Sequence, residues 1–497
     1  MMKVFFLINL FTAVLVITSY GQVQNPKDGY VYYCTACGDG SCDTIAYNHP
    51  GICPICKMSL MAKSITKTND LHGDAIAFEK FIGYWVGSGR SGEQELKFSL
   101  EITKDHGNKV MFNSDEMSVQ NIPGNNIKIV NDSIQFDLTG DKETLSFKAG
   151  FKQGKMSGMV NKVNHTKNEN ETQVAIFELS KTQKEMISYV IKEVSWKNGD
   201  AILSGSLYLP NSNTKFPAIV FTHGSGPEQR YANAYMADYF AKKGIAVLIY
   251  DKRGTGKSTG NWQTSTYEDL SEDCIAGIKY LKRQSKINST EIGIFGHSQG
   301  GTISPLIISR SHNIAFNIAS AAFGVSPEEQ DIYRVSNILR AEAGFSEKII
   351  DSAIRFYKIW VAVARTGTGW DTLEKEIPKI ENTQWYAWVT PPPKDNWIWK
   401  WYLSAGNYTP IPYWEKIKIP VLLLYGEKDL ITPPLASVKN IQAALIKAGN
   451  TNYKIVMFPD ATHEGYILGK SNDFWDKTTP GYCDTVYNWL KSKIIGK

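Results

Sequence analysis

The chain of 497 residues lacks several features that would settle its class at once. Charge of one sign is missing: 54 Lys and Arg stand against 49 Asp and Glu, for a formal net charge of +5. The cations are dispersed rather than gathered in a stripe, so a nucleic-acid partner is not indicated. After the first 21 residues no apolar run is long enough to span a bilayer. Gly254-Thr-Gly256-Lys257-Ser258 ends like a phosphate-binding loop, but that pattern requires a glycine at position 251, which is Asp. Cysteine is scarce outside one short stretch, with five of the 7 lying between Cys34 and Cys56. Histidine is scarce as well, 8 in all, which narrows the search for a catalytic base.

The N-terminus has the parts of a secretory signal over residues 1–21. Lys3 supplies a short positive region, Val4 to Ile17 an apolar core, and Ser19 and Gly21 small residues before a cut at Gln22. No Cys directly follows that core, which argues against a lipid anchor. The expectation is a secreted or periplasmic bacterial protein with no membrane span after signal removal.

The most informative segment is Gly296-His297-Ser298-Gln299-Gly300, which follows the apolar run Glu291–Phe295. A serine hydroxyl is a poor nucleophile and must project from a sharp turn where a base can reach it. Small residues two before and two after it let such a turn close. The base and acid should follow at the ends of later strands. Only His312 and His463 come after Ser298. His312 sits just beyond Thr302–Ser309, at the far end of the expected elbow helix. His463 lies in the Gly-bounded loop Pro459–Gly465 after the strand-like Tyr453–Phe458, as a base should. For the acid, Pro420–Tyr425 reads as a buried strand, and Asp429 in Gly426-Glu427-Lys428-Asp429 is chosen, with Glu427 as competitor. A carboxylate there accepts the His463 Nδ1–H and fixes the tautomer. Phe216–Phe221 reads as a strand ending in the loop Thr222-His223-Gly224-Ser225-Gly226-Pro227. The backbone N–H groups of Ser225 and Gln299 are assigned to the oxyanion hole. His223 reads as a loop-structuring residue.

These segments, together with Asp251-Lys-Arg-Gly-Thr-Gly-Lys-Ser258, make residues 187–497 resemble the α/β-hydrolase superfamily. The likeness is greatest to exported bacterial esterases and to the dienelactone-hydrolase or serine-aminopeptidase type. It implies a mostly parallel central sheet with a helical lid inserted at about 327–415, and no cofactor for catalysis. Residues 360–414 hold eight of the 13 tryptophans, which would mostly pack the lid upon itself, with two or three facing the pocket. Tryptophans also stack on sugars, so an acylated carbohydrate is one substrate guess. Helix-like spacing runs over Asp331–Arg365. Cys274 and Cys483 read as isolated buried thiols.

Two smaller units precede the hydrolase. Residues 73–180 alternate with a period of two between turn residues, as in Glu95–Ile102 and Ser133–Leu138, and predict an antiparallel β barrel or sandwich. Within residues 22–65, Cys34-x₂-Cys37 and Cys53-x₂-Cys56 are spaced for a four-thiolate site, with Cys42 and His49 nearby. Asn48–Leu60 resembles the heavy-metal-binding modules of bacterial copper-handling proteins. Zinc or copper is the expected ion, and a disulfide framework is the alternative in an oxidising compartment.

The reading is an exported serine hydrolase that cleaves a small-molecule carboxylic ester through Ser298, His463 and Asp429. Its rivals are a peptidase or aminopeptidase of the same fold, and a metal-handling envelope protein with a non-catalytic hydrolase scaffold.

Overall fold

A computed structural model of the chain describes residues 30–34, 46–47, 60–64, 78–105, 107–139, 143–164, 173–311, 313–467, 474–475 and 477–495. The expected export signal lies outside the described residues, as do Cys37, Cys42, Cys53, Cys56, His49 and His312. Cys34 ends β1 (Tyr30–Cys34), the middle strand of a small antiparallel sheet with β2 (Ala46–Tyr47) and β3 (Leu60–Ser64).

Nine antiparallel strands follow: β4 (Gly83–Ser91), β5 (Gln94–Thr103), β6 (Lys109–Ser114), β7 (Val119–Pro123), β8 (Asn125–Val130), β9 (Ser133–Thr139), β10 (Glu143–Lys152), β11 (Lys155–Asn164) and β12 (Gln173–Thr182). Their order is β7-β6-β5-β4-β12-β11-β10-β9-β8, a meander whose last strand returns to pair with its first. The two edge strands are consecutive in the chain. Gly124 between them donates its N–H to Val110 O on β6 at 2.8 Å, so the sheet curls almost onto itself. The expected antiparallel β domain is therefore present. Its alternation has a direct cause: Leu96, Phe98, Leu100 and Ile102 of β5 and Ile134, Phe136 and Leu138 of β9 point to one interior. Aromatic rings fill that interior, with Phe136 stacked on Phe147 at 4.7 Å.

Phe474 and Trp475, from far downstream, complete this core and are each 2% exposed. Gln94 Oε1 accepts both of their backbone N–H groups, at 2.5 and 3.2 Å. Lys162, itself buried, donates to Phe474 O at 2.9 Å and pairs with Glu143 at 2.8 Å, which satisfies its buried charge. Thr478 N–H donates to Glu116 O at 2.7 Å. The stretch following position 463 is thus tied to the β domain.

The third sheet holds β13 (Tyr189–Asn198), β14 (Ala201–Pro210), β15 (Phe216–Thr222), β16 (Ala246–Tyr250), β17 (Ile287–His297), β18 (Asn317–Ser320), β19 (Val421–Gly426) and β20 (Tyr453–Phe458). Its order is β13-β14-β16-β15-β17-β18-β19-β20, with all pairs from β16 onward parallel. Strands covered on both faces read as unbroken apolar runs, and β15, β16 and β19 are buried at every residue. Ala218 and Val220 face the helices Tyr267–Lys282 and Gln299–Arg310, whereas Ile219 and Phe221 face Ala234–Lys242 and Tyr482–Lys493. Thr266 and Asp269 form a reciprocal capping box at the start of Tyr267–Lys282, a device that stabilises a helix by about 1 kcal/mol.

Six helices lie between β18 and β19, from Pro327–Ala341 to Ile411–Trp414. The helix-like spacing over 331–365 corresponds to two helices, Pro327–Ala341 and Glu347–Thr366, separated at Gly344, whose φ of 67° suits glycine. The insertion has its own core, built on Leu339, Tyr357, Trp360, Trp385, Trp399 and Tyr402. Trp414 belongs instead to the core under β19. Trp388 is the most exposed of the eight, and Trp397 meets Trp262 edge-on at 5.1 Å. Among the described residues no helix is long and apolar enough to cross a membrane.

Candidate active site

Ser298 stands between β17 and the helix Gln299–Arg310 with φ 52° and ψ −115°, a backbone state that non-glycine residues seldom adopt. Its N–H donates to Ser320 O at 2.8 Å, which holds the turn against β18. Both flanking glycines are required by space. A Cβ at Gly296 would lie 2.5 Å from Gly300 backbone atoms, and one at Gly300 would lie 2.5 Å from Thr222 Oγ1.

The structure brings Ser298, His463 and Asp429 together. His463 Nε2 lies 2.9 Å from Ser298 Oγ, and its Nδ1 lies 2.8 Å from Asp429 Oδ2. Asp429 Oδ1 accepts the N–H groups of Ile431 and Thr432 at 2.8 and 2.7 Å, so the carboxylate is fixed on both sides. The Tyr333 hydroxyl, from the first helix of the insertion, donates to Asp429 O at 2.7 Å. Glu427 is exposed, whereas Asp429 is 1% exposed and meets the imidazole. Burial by itself lowers the His463 pKa. The charge and hydrogen bond of Asp429, with help from Glu464, outweigh it and raise the imidazole to about 8.

The loop carrying Ser225 lies beside the nucleophile, since a Cβ on Gly224 would be 3.8 Å from Ser298 Cβ. Gly224 N–H is already taken by Glu228 Oε2 at 3.0 Å. Lys252, 2% exposed, donates to Gly224 O at 2.8 Å, Gly226 O at 3.0 Å and Gln299 Oε1 at 2.8 Å. All three ammonium protons are thereby used, and one cation joins the loop of Ser225 to the residue after the nucleophile. In a trans peptide the C=O and N–H point in opposite directions. The bond to Gly224 O therefore turns Ser225 N–H away from Lys252. Burial lowers the Lys252 ammonium to about 8, against the opposing charges of Glu228 and Asp273. Burial also raises the Glu228 carboxyl, with Lys252 and His297 opposing. His223 is structural, as expected: it bonds Tyr250 O through Nε2 at 2.6 Å, and burial beside Lys252 pushes it down to about 4.

The Asp251–Ser258 stretch is a fastening. Asp251 binds Arg230 through Nε and Nη2 and accepts Lys257 N–H, while Arg253 makes a two-point pair with Asp273. Sequence reasoning passed over Lys252, Glu228 and Tyr333. Lys252 carried a usable signal, a cation two residues past a fully apolar strand in a quoted motif. The other two carried none. Cys274 and Cys483 are free and buried.

The family described as serine aminopeptidase, S33 matches residues 214–467, just over half of the chain. Esterase EstD of Thermotoga maritima is 24% identical over 345 residues, spanning 66% of this chain and 73% of its own. The bifunctional esterase/perhydrolase DCH of Acinetobacter calcoaceticus is 26% identical over 249 residues, spanning 50% of this chain and 85% of its own. A solved esterase of Pyrococcus furiosus aligns with a TM-score of 0.41 at 20% identity, over 62% of this chain and 93% of its own. The fold and the family together define a serine hydrolase built on the α/β-hydrolase sheet. The chain belongs to the serine aminopeptidase S33 family.

Proposed function

We propose that this chain hydrolyses carboxylic esters of small molecules through an acyl-enzyme. The observation that carries the reading is the unbroken path from Ser298 Oγ to His463 Nε2 at 2.9 Å and from His463 Nδ1 to Asp429 at 2.8 Å. Ser298 Oγ forms a bond to the ester carbonyl carbon while His463 Nε2 takes its proton. The oxyanion is met by Ser225 and Gln299 N–H. As the carbon–oxygen bond to the alcohol breaks, His463 returns the proton to the leaving oxygen. Water then repeats the sequence on the acyl-enzyme and releases the acid. The helical insertion serves as the lid over this site, and export and a zinc or copper site within residues 22–65 belong to the same proposal, supported by the sequence patterns.

An amide-cleaving aminopeptidase would need carboxylates free to bind an ammonium group. The acids around the site are each engaged, Asp429 with His463, Glu228 with Gly224 N–H and Glu464 with His297 at 3.1 Å, which favours the ester. Turnover of p-nitrophenyl butyrate should exceed that of aminoacyl p-nitroanilides in side-by-side assays. Preference for the anilides would hand the site to the peptidase reading.

Lys252 is assigned the positioning of both oxyanion donors. His463 must be neutral to act, so kcat/KM rises as pH climbs through about 8. Lys252 must keep its charge, so the rate falls above about 8, giving a narrow bell. With chelator present, Lys252→Met should remove the alkaline limb and lower kcat on the order of tenfold to a hundredfold, less than the loss of a donor itself. An unchanged profile in that variant would strip Lys252 of this part.

A further inference from the structure

We propose that His297, His463 and Glu464 form a binding site for a divalent transition-metal ion, of which zinc is the type, and that its occupation switches the hydrolase off. Inhibition rests on the reading of His463 as the base; metal binding does not.

The donor atoms of these three side chains lie within 4.8 Å of one another. His297 Nε2 and Glu464 Oε2 are already 3.1 Å apart, and the two imidazole rings are 5.1 Å apart, centre to centre. A tetrahedral zinc with bonds of about 2.0–2.1 Å places its ligands about 3.3–3.5 Å apart, so closing the set calls for a side-chain movement of about 1 Å. Two imidazoles and one carboxylate suit zinc or copper, and not magnesium or calcium, which prefer oxygen alone.

The outer nitrogens supply an independent argument. Metal-binding histidines hold their second ring nitrogen on a partner, which fixes the nitrogen that faces the ion. His463 does this through Nδ1 on Asp429 at 2.8 Å, and His297 through Nδ1 on Ser320 Oγ at 3.3 Å. Ser320 Oγ is in turn held by the Tyr482 hydroxyl at 2.8 Å. Both Nε2 atoms are therefore directed by neighbours, one toward Ser298 and one toward Glu464. The side chains of His297 and Glu464 are 23% and 25% exposed, so an ion can reach them from solvent. Chain position explains the juxtaposition. His297 precedes the nucleophile on the elbow and Glu464 follows the base in its loop, so any fold that joins 298 to 463 brings their neighbours together. Binding uses the lone pair on His463 Nε2 that accepts the Ser298 proton. With the ion in place the hydroxyl has no base, and no covalent chemistry is required for the block.

Zinc chloride added to the chelator-treated full-length protein should inhibit p-nitrophenyl butyrate turnover, with EDTA restoring it. His297→Asn and Glu464→Gln, each compared with its own metal-free rate, should need at least about tenfold more zinc for half-inhibition, the lower end of the range seen when even an outer partner of a metal ligand is lost. Absence of inhibition overturns the proposal. So does equal inhibition of both variants, which would move the ion elsewhere, for example to the cysteine-rich head. Should no variant turn over esters at all, equilibrium dialysis still decides: Ser298→Ala should bind one more equivalent of zinc than Ser298→Ala/His297→Asn, and equal stoichiometry rejects the site.

Discussion

Ser298→Ala is expected to abolish hydrolysis of p-nitrophenyl acetate and butyrate, with a fall in kcat on the order of 10⁴- to 10⁶-fold and residual turnover from the oxyanion donors and binding alone. A fluorophosphonate probe should label the parent protein and leave the variant unlabelled. The fold should survive. Alanine occupies the same strained backbone at φ 52° no worse than serine does, and the lost bond to His463 Nε2 is worth about 1 kcal/mol in a partly buried setting. Thermal unfolding of the two proteins should therefore coincide within a few degrees. Retained activity, or labelling at another residue, would take the nucleophile away from position 298 and the mechanism with it.

Asp429→Asn is expected to cost on the order of 10³- to 10⁴-fold in kcat, while Glu427→Gln stays within about threefold of the parent. The reason lies in the hydrogen bonds of Asp429. One oxygen accepts two backbone N–H groups, from Ile431 and Thr432, and the other accepts His463 Nδ1–H. An asparagine has one accepting atom. If its oxygen stays with the two amides, its NH₂ faces His463, whose Nδ1 must then accept. The proton moves to Nε2, and the imidazole can no longer take one from Ser298. If the side chain flips, two amide donors face an NH₂ in a buried site, which carries a penalty of about 1–3 kcal/mol. The variant also loses the charge that lifts the imidazole. Burial is then opposed only by the charge of Glu464, the weakest of the causes that raise His463, and its pKa drops from about 8. The acid limb of whatever activity remains should shift to lower pH. Glu427 faces solvent, and its removal touches none of this. The reverse ranking of the two variants would reassign the acid.

The catalytic sheet was legible because its strands are buried on both faces and appear as unbroken apolar runs at 216–221 and 420–425. The β domain was legible from its alternation, since one face of each strand meets the interior and the other meets water. Ser298, His463 and Asp429 could be chosen because each sits just past a strand-like run, where a parallel sheet gathers its loops at one end. The break at Gly344 was less legible, because a continuous apolar spacing fits one long helix as well as two short ones.

By itself the amino-acid order determined which stretches must be covered and where the chain turns between them, since burial of apolar side chains and the backbone limits of glycine act locally. It did not determine which distant polar groups would meet. Lys252 joining the loop at 224–226 to Gln299, Tyr333 on the carbonyl of Asp429, and Phe474 and Trp475 inside the β domain were all decided by tertiary structure. A hydrogen bond or ion pair forms only when its partners are held about 3 Å apart, and no periodicity in the chain encodes that distance between residues far apart in order.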